Sequence, residues 1–166
     1  MSTALTARTD LSRRRSVLTL LLLLVLCYGV AAAGALATGD AGSTYAALDR
    51  PAWAPPGWLF GPVWTVLYGM IAVAGWLVAR RAAPGRRPAL VAWGTQLVLN
   101  ALWTPLFFAA ERYGLAFLDI ALLLAAVVAT ALLAARVDRR ATWLLVPYGV
   151  WVAYAAALNL SLWLNN

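Results

Sequence analysis

Five long apolar stretches constrain the fold of this chain more than any other feature. They cover residues 16–39, 58–79, 89–110, 113–135 and 141–164, and only the fourth holds a charged residue, Asp119. Each is long enough to cross the roughly 30 Å hydrocarbon core of a bilayer as a helix. Transmembrane strands would show alternating polarity instead of continuous apolar runs. The sequence therefore predicts an all-α, polytopic membrane protein built as a bundle of five transmembrane helices.

The arginines predict how these helices are oriented. All thirteen basic residues are arginine, and eleven of them lie in the regions 1–15, 80–88 and 136–140, whereas the opposite side receives only Arg50 and Arg112. Basic loops stay in the cytoplasm. We therefore expect a basic cytoplasmic segment at 1–15, a membrane domain at 16–166, the N-terminus inside and the C-terminus outside.

Composition excludes several other classes of protein. The chain is 64% hydrophobic and 11% charged, against about 25% charged residues in a soluble domain. The pI near 10.5 does not indicate nucleic-acid binding, because the arginines form short clusters between apolar spans. Histidine is absent and Cys27 is alone, which excludes a disulfide, a zinc site and the usual axial haem ligands. No metal site and no required cofactor are predicted.

The first span also resembles a secretory signal peptide. Arg13 to Arg15 precede a leucine run, and the sequence from Ala35 to Ala37 resembles a cleavage site. However, the apolar stretch exceeds the roughly 7 to 15 residues of a signal-peptide core, so we interpret it as a retained helix. Mass spectrometry of the mature N-terminus distinguishes the two.

The connection 40–57 is the longest loop and lies on the outer side. Pro51, Pro55 and Pro56 exclude a continuous helix through it. Two interpretations remain open. The loop covers a pocket between the helices, or it is a solvated connector in which Trp53 and Trp58 anchor the membrane interface.

The third span carries the most informative pattern. Trp93, Gln96, Asn100, Trp103 and Phe107 recur at spacings of three and four residues, which places them on one helix face. Buried amides either join helices by hydrogen bonds or face a cavity. The large aromatic neighbours favour a cavity, since tight membrane packing uses small residues.

The fifth span repeats this pattern with Tyr148, Trp151, Ala155 and Asn159. Pro147, beside this stripe, is expected to kink or locally open the helix. The spacing of these residues gives a second stripe of aromatic and amide groups, beside which the small alanines allow either close helix approach or room for a flat ligand.

The second span carries Trp64 and Tyr68 four residues apart on one face. Together with Trp103 and Trp151 they predict aromatic walls suited to a flat, conjugated ligand.

Asp119 is the one acidic residue at membrane depth. An intramembrane carboxyl is a functional hypothesis by default. The simpler alternative is that it pairs with Arg112 or with a polar group on another helix.

Four segments of the chain together resemble the TspO/translocator protein family, whose bacterial members are called tryptophan-rich sensory proteins. The matching elements are RPAWAPPGW at 50–58, FGPVWT at 60–65, Leu67-Tyr68, Gln96-Leu97, Leu99-Asn100, Trp103, Phe107-Phe108, Pro147-Tyr148, Trp151 and Leu158-Asn159. They occur in order and extend over nearly the whole chain.

The resemblance implies a five-helix bundle in the bacterial inner membrane, usually homodimeric, with a pocket under the first long loop. It implies binding of porphyrins such as protoporphyrin IX. In animal relatives it also implies binding of cholesterol and drug-like ligands. A proposed sterol motif of the animal members is absent, because its positions hold Leu160 and Leu164. The expected ligand-binding residues are Trp53, Trp64, Tyr68, Gln96, Asn100, Trp103, Phe107, Trp151, Ala155 and Asn159.

Three functions remain open. The first is a porphyrin-binding sensor or regulatory protein. The second is an enzyme that degrades protoporphyrin IX with light and oxygen, in which Trp64 and Trp151 would be catalytic, as the resemblance implies for some bacterial relatives. The third is a transporter of porphyrin or lipid. Alanine-rich positions of the third to fifth spans, including Ala125, Ala126 and Ala129, are candidates for dimer packing.

Overall fold

Helices make up nearly all of this protein in a computed structural model, which describes the backbone of residues 2–166 and the side chains of residues 13–166. The helices are α1 (Ser2–Ala37), α2 (Ala41–Ala47), α3 (Phe60–Ala79), α4 (Arg86–Thr104), α5 (Tyr113–Ala135) and α6 (Arg139–Asn165). A 3-10 turn, Gly57–Leu59, leads into α3, and a π-helical turn, Pro105–Ala109, extends α4. Five helices are long and apolar enough to cross a membrane, which confirms the predicted all-α bundle.

The five long helices form a closed ring. Helix α1 packs on α3, α3 on α6, α6 on α5 and α5 on α4, and α4 closes the ring against α1. The interior contains Ile71, Ala72, Leu123, Tyr148 and Val152, all almost fully buried. Leucine and valine side chains on the outer surface are exposed, as expected for contact with lipid.

Helix α1 is the most peripheral of the five. Cys27 is its only fully buried residue among those whose side chains are described. The backbone is already helical from Ser2, so most of the basic segment expected at 1–15 belongs to α1. Arg8, which contributed to the predicted orientation, lies outside the residues whose side chains are described. After Ala37 the chain turns at Gly39, where φ is 56°, a left-handed conformation that glycine adopts without strain.

The outer loop, 40–57, is partly ordered as a short helix. The Asp40 carboxylate caps α2 by accepting a hydrogen bond from the Ser43 N–H at 3.1 Å. Beyond α2, the prolines keep the chain non-helical as far as the 3-10 turn at Gly57.

The two prolines inside spans behave differently. Helix α6 continues through Pro147 without the local opening that this residue predicted. Proline removes a single donor there, the one that would have reached the carbonyl of Trp143. Pro105, by contrast, begins the π-helical turn, in which the Ala110 N–H donates to the Pro105 carbonyl at 2.9 Å. The sequence pattern did not predict this wider turn.

Candidate functional site

A cavity of about 570 Å³ lies between α1, α3 and α4, beneath α2 and the outer loop. Its walls combine small residues of α1 with aromatic residues of α3 and α4. The lining includes Tyr28, Ala31, Gly34, Ala35, Asp40, Tyr45, Phe60, Trp64, Tyr68, Asn100, Trp103, Thr104 and Phe108. Four residues expected from the sequence are among them, namely Trp64, Tyr68, Asn100 and Trp103.

The local sequence explains this asymmetric lining. Trp64 and Tyr68 are one helical turn apart on α3, and their ring centroids lie 5.5 Å apart. On α1, a Cβ atom added at Gly34 would lie 3.5 Å from the Thr104 side chain. This is an ordinary van der Waals distance, so α1 and α4 are in contact at Gly34 and close that side of the cavity. Sequence reasoning missed the α1 wall, although the small-residue run at 31–35 was a usable signal.

A chain of buried hydrogen bonds connects α3, α4 and α6 at the cavity wall. The Tyr68 hydroxyl donates to Asn100 Oδ1 at 2.6 Å, and Asn100 Nδ2 donates to the Tyr148 hydroxyl at 2.8 Å. Tyr148 in turn donates to Gln96 Oε1 at 2.8 Å. Gln96 is fully buried, and its Nε2 has no hydrogen-bond partner among the described residues. Gln96 therefore joins helices, whereas Asn100 both joins helices and lines the cavity.

Asn159 makes a second interhelical junction. Its Oδ1 accepts from Trp103 Nε1 at 3.0 Å, and its Nδ2 donates to the Tyr113 carbonyl at 3.0 Å. The amide thus links α4 to α6 through Trp103 and α6 to the start of α5. The buried amides therefore join helices by hydrogen bonds, and one of them, Asn100, also lines the cavity between α1, α3 and α4, so both interpretations made from the sequence are correct in part.

A second, much smaller cavity of about 20 Å³ adjoins the first. Phe107, Ala155 and Asn159 line it. Phe60 and Trp103 line both cavities and stand between them. A space of this size holds about one water molecule, so these three expected residues are separated from the space large enough for a ligand.

Trp151 lines neither cavity. Its ring packs edge-on against Phe60, with centroids 5.9 Å apart, and its buried Nε1 has no partner among the described residues. The expected aromatic walls are therefore only partly formed. Trp64 and Trp103 share the larger cavity, and Phe60 separates Trp151 from it.

Trp53 lies at the edge of the outer loop and outside both cavities. It is about half exposed and packs against Tyr154, with ring centroids 5.7 Å apart. The Tyr154 hydroxyl donates to the Trp53 carbonyl at 2.9 Å. At the end of α6, the C-cap residue Asn166 accepts a hydrogen bond through its Oδ1 from the Asp49 N–H at 3.0 Å. The loop is therefore attached to α6 at two points and covers the end of the bundle, while Trp58 is exposed.

The loop-side rim of the cavity carries one anion and one nearby cation. Hydrogen bonds from the backbone and hydroxyl of Ser43 lower the pKa of Asp40, so this carboxyl is ionised at neutral pH. The Arg50 guanidinium lies 5.1 Å from the centroid of the Tyr45 ring. Burial raises the pKa of Tyr45, so its phenol stays neutral, and its hydroxyl donates to the Pro55 carbonyl at 2.9 Å.

Asp119 does not make the expected ion pair with Arg112. Among residues with described side chains, the only ion pair joins Arg81 and Asp138, with Nη2 and Oδ2 2.9 Å apart. Asp119 is 8% exposed, and its Oδ2 has no partner among the described residues.

Fold and site together define a multi-pass α-helical membrane protein with an aromatic, ligand-sized cavity at one end of its bundle. The TspO/MBR family model matches residues 21–164. The chain belongs to this family, as its motifs predicted.

Relatives in bacteria and animals agree with this assignment. The chain is 38% identical over 150 residues to "Protein CrtK" of Rhodobacter capsulatus, which covers 87% of this chain and 94% of that protein. It is 38% identical over 154 residues to "Tryptophan-rich protein TspO" of Chlorobaculum tepidum, covering 89% and 96% respectively. It is also 38% identical over 125 residues to the human "Translocator protein", covering 74% of each chain.

Proposed function

We propose that this protein is a sensor or regulatory protein of the TspO type that binds a planar tetrapyrrole, such as protoporphyrin IX, in the larger cavity. The observation that carries the proposal is the lining of this space, which places Trp64, Tyr68 and Trp103 opposite the small residues of α1. Its volume of about 570 Å³ falls within the roughly 300–1,000 Å³ of small-molecule sites. Aromatic faces favour offset stacking on a conjugated ring.

The rim charges predict how a dicarboxylic porphyrin would lie. The ionised Asp40 repels carboxylates, whereas Arg50 attracts them. The propionates would therefore lie near Arg50 at the loop, with the macrocycle deeper in the cavity. Arg50→Gln should weaken protoporphyrin IX binding and leave binding of its uncharged dimethyl ester unchanged. Equal losses for both ligands would contradict this pose.

Filling the cavity tests the site itself. Ala31 lines the cavity, whereas Ala33 is exposed on the same helix. Ala31→Phe should reduce protoporphyrin affinity at least tenfold because the phenyl ring occupies the ligand volume, and Ala33→Phe should not. Saturable quenching of tryptophan fluorescence in purified protein measures both. Equal affinities for the two variants, or no saturable quenching in the wild type, would contradict the proposal.

Light- and oxygen-dependent degradation is less well supported by this geometry, because Phe60 separates Trp151 from the cavity. Illuminating the bound porphyrin in the wild type and in the Trp64→Phe/Trp151→Phe variant compares the two functions. Faster loss of the porphyrin absorption band in the wild type would support an enzyme. Equal rates in the two proteins would support porphyrin binding without catalysis. No feature of the described residues favours the transporter.

We also propose a homodimer with α5 at its interface. Ala125 and Ala129 are exposed one turn apart on this helix, and small residues allow close helix approach in lipid. The variant Ala125→Leu/Ala129→Leu should lower the dimer fraction measured by light scattering in detergent. Ala33→Leu, on the exposed face of α1, serves as the control.

A further inference from the structure

Positive charge is concentrated at the end of the bundle opposite the cavity. Among residues with described side chains, the arginines at this end are Arg13, Arg14, Arg15, Arg80, Arg81, Arg86, Arg87, Arg136, Arg139 and Arg140, and the one carboxylate is Asp138. The cavity end instead holds Asp40, Asp49 and Glu111 with Arg50 and Arg112. An anion of the bilayer surface is therefore attracted to the arginine end.

Within this end, hydrogen bonds connect α1 and α3 at one junction. Trp76 Nε1 donates to the Ser16 carbonyl at 2.9 Å and lies 3.1 Å from the Ser16 hydroxyl oxygen. The Arg80 guanidinium lies 4.5 Å from the centroid of the Trp76 ring. These contacts connect the end of α3 that carries Arg80 to Ser16, the residue that follows Arg13, Arg14 and Arg15 on α1.

Two adjacent arginines at this junction differ in their partners. Arg81 pairs with the Asp138 carboxylate at 2.9 Å. Arg80 is exposed and contacts no carboxylate among the described residues. Stacking on the tryptophan face orients the Arg80 guanidinium but leaves its N–H groups available for an anion.

An apolar surface continues from this junction along α1. Val17, Leu18, Leu21, Leu22 and Val25 are each at least half exposed. A ligand with a phosphate at the arginines and hydrocarbon chains along this surface matches both chemistries. A soluble anion would contact only the arginines and not the apolar surface.

We propose that the α1–α3 junction around Arg80, Trp76 and Ser16 binds the headgroup phosphate of an anionic phospholipid whose acyl chains lie along α1. The site is independent of the tetrapyrrole cavity. Arg80 supplies a planar donor pair, the tryptophan fixes its orientation, and the neighbouring α1 arginines add long-range attraction. Each arginine near an anionic surface contributes about 1 kcal/mol, which corresponds to about a fivefold change in affinity.

Native mass spectrometry of the full chain tests this site, with equimolar phosphatidylglycerol and phosphatidylcholine supplied in detergent. The wild type should retain phosphatidylglycerol preferentially, and Arg80→Gln should reduce that retention about fivefold. Arg139→Gln is the matched control, because it removes the same charge from the start of α6 at an exposed arginine that does not stack on Trp76. Arg80→Lys keeps the charge and should lose part of the preference, since an ammonium cannot donate in the same planar geometry.

Three results would overturn the proposal. The first is equal retention of both lipids by the wild type. The second is an equal effect of Arg80→Gln and Arg139→Gln, which would mean that only diffuse charge attracts the lipid. The third is displacement of phosphatidylglycerol by millimolar inorganic phosphate, which would identify a bare anion site. Unchanged helical circular dichroism and an unchanged unfolding temperature in detergent establish that each variant is folded.

Discussion

At the scale of single residues, buried amides organise this bundle because each can donate and accept simultaneously. Asn100 accepts from Tyr68 and donates to Tyr148, and Asn159 accepts from Trp103 and donates to Tyr113. Lipid offers no competing hydrogen bonds, so such residues face their helical neighbours. The two asparagines therefore connect helices and also hold Tyr68 and Trp103 in the cavity wall.

Removing the amide of Asn159 tests this role. Asn159→Ala should destabilise the protein by about 1–2 kcal/mol, because the buried Trp103 N–H and Tyr113 carbonyl lose their partners. Thermal unfolding in detergent measures the change. Asn165→Ala removes an exposed amide from the same helix and should have almost no effect. A similar loss in both variants would show that the junction contributes nothing specific.

At the scale of helices, close packing of α3 on α4 depends on a glycine. A Cβ atom added at Gly75 would lie 2.8 Å from Trp93 Cε2. Trp93 cannot move freely, because its Nε1 donates to the Ile71 carbonyl at 2.9 Å. Gly75 carries only a hydrogen atom where other residues carry Cβ, and this allows α3 to pack closely against Trp93 of α4.

Gly75→Ala should destabilise the protein despite the better helix propensity of alanine. The gain in propensity is about 1 kcal/mol, whereas overpacking a rigid contact costs about 1–3 kcal/mol. Gly94→Ala on α4 is the control, since nothing lies within 4 Å of its added Cβ. We expect a lower unfolding temperature for Gly75→Ala and an unchanged or higher one for Gly94→Ala. The opposite order would contradict the packing argument.

The Arg81–Asp138 ion pair connects the α3–α4 turn to the start of α6 and should make stability depend on pH. Burial raises the pKa of Asp138, but hydrogen bonds from Arg81 and Arg140 and the two positive charges outweigh it. The pKa in the folded protein therefore lies below the ordinary value of 3.8. A lowered carboxyl pKa stabilises the fold fully above the ordinary value, and this contribution disappears as the pH falls through the folded value.

Asp138→Asn should therefore lower the unfolding temperature by a constant amount from about pH 5 to about pH 8. The difference from the wild type should begin to shrink below about pH 4, where the carboxyl of the unfolded chain becomes protonated, and should reach its minimum once the pH has fallen through the lowered pKa of the folded protein. Unfolding curves over this range measure it. Asp49→Asn, outside any described ion pair, serves as the control. A difference that does not change at low pH would exclude the ion pair as its cause.

At the scale of the whole molecule, the two ends of the bundle differ in charge and in architecture. Arginines dominate the end formed by the start of α1 and the turns after α3 and α5. The cavity and the outer loop occupy the other end. We expect the arginine end in the cytoplasm, so the larger cavity would open towards the outer side of the membrane.

Cysteine labelling tests this orientation. In a Cys27→Ala background, Ala46→Cys places a thiol on α2, and Ala82→Cys places one between α3 and α4, both at exposed positions. A membrane-impermeant maleimide should label Ala46→Cys in intact spheroplasts and Ala82→Cys only after permeabilisation. The reverse pattern would contradict the predicted N-terminus inside and C-terminus outside.

The local sequence alone was sufficient to predict the membrane bundle. Span length, charge content and helical spacing depend only on residues close in the chain, so the five spans and the faces of α4 and α6 that carry amides could be read directly. The family motifs could also be recognised from the sequence, because their residues are contiguous or regularly spaced.

Tertiary packing decided which of these residues share a cavity. Periodicity gives the face of a helix but not its rotation or depth relative to its neighbours, and these depend on contacts such as Gly34 against Thr104 and Gly75 against Trp93. Packing therefore gave the peripheral α1 a cavity wall that its sequence pattern did not predict. For the same reason Phe60, and not Trp151, faces the larger cavity, and Gln96 and Asn159 are engaged in bonds between helices.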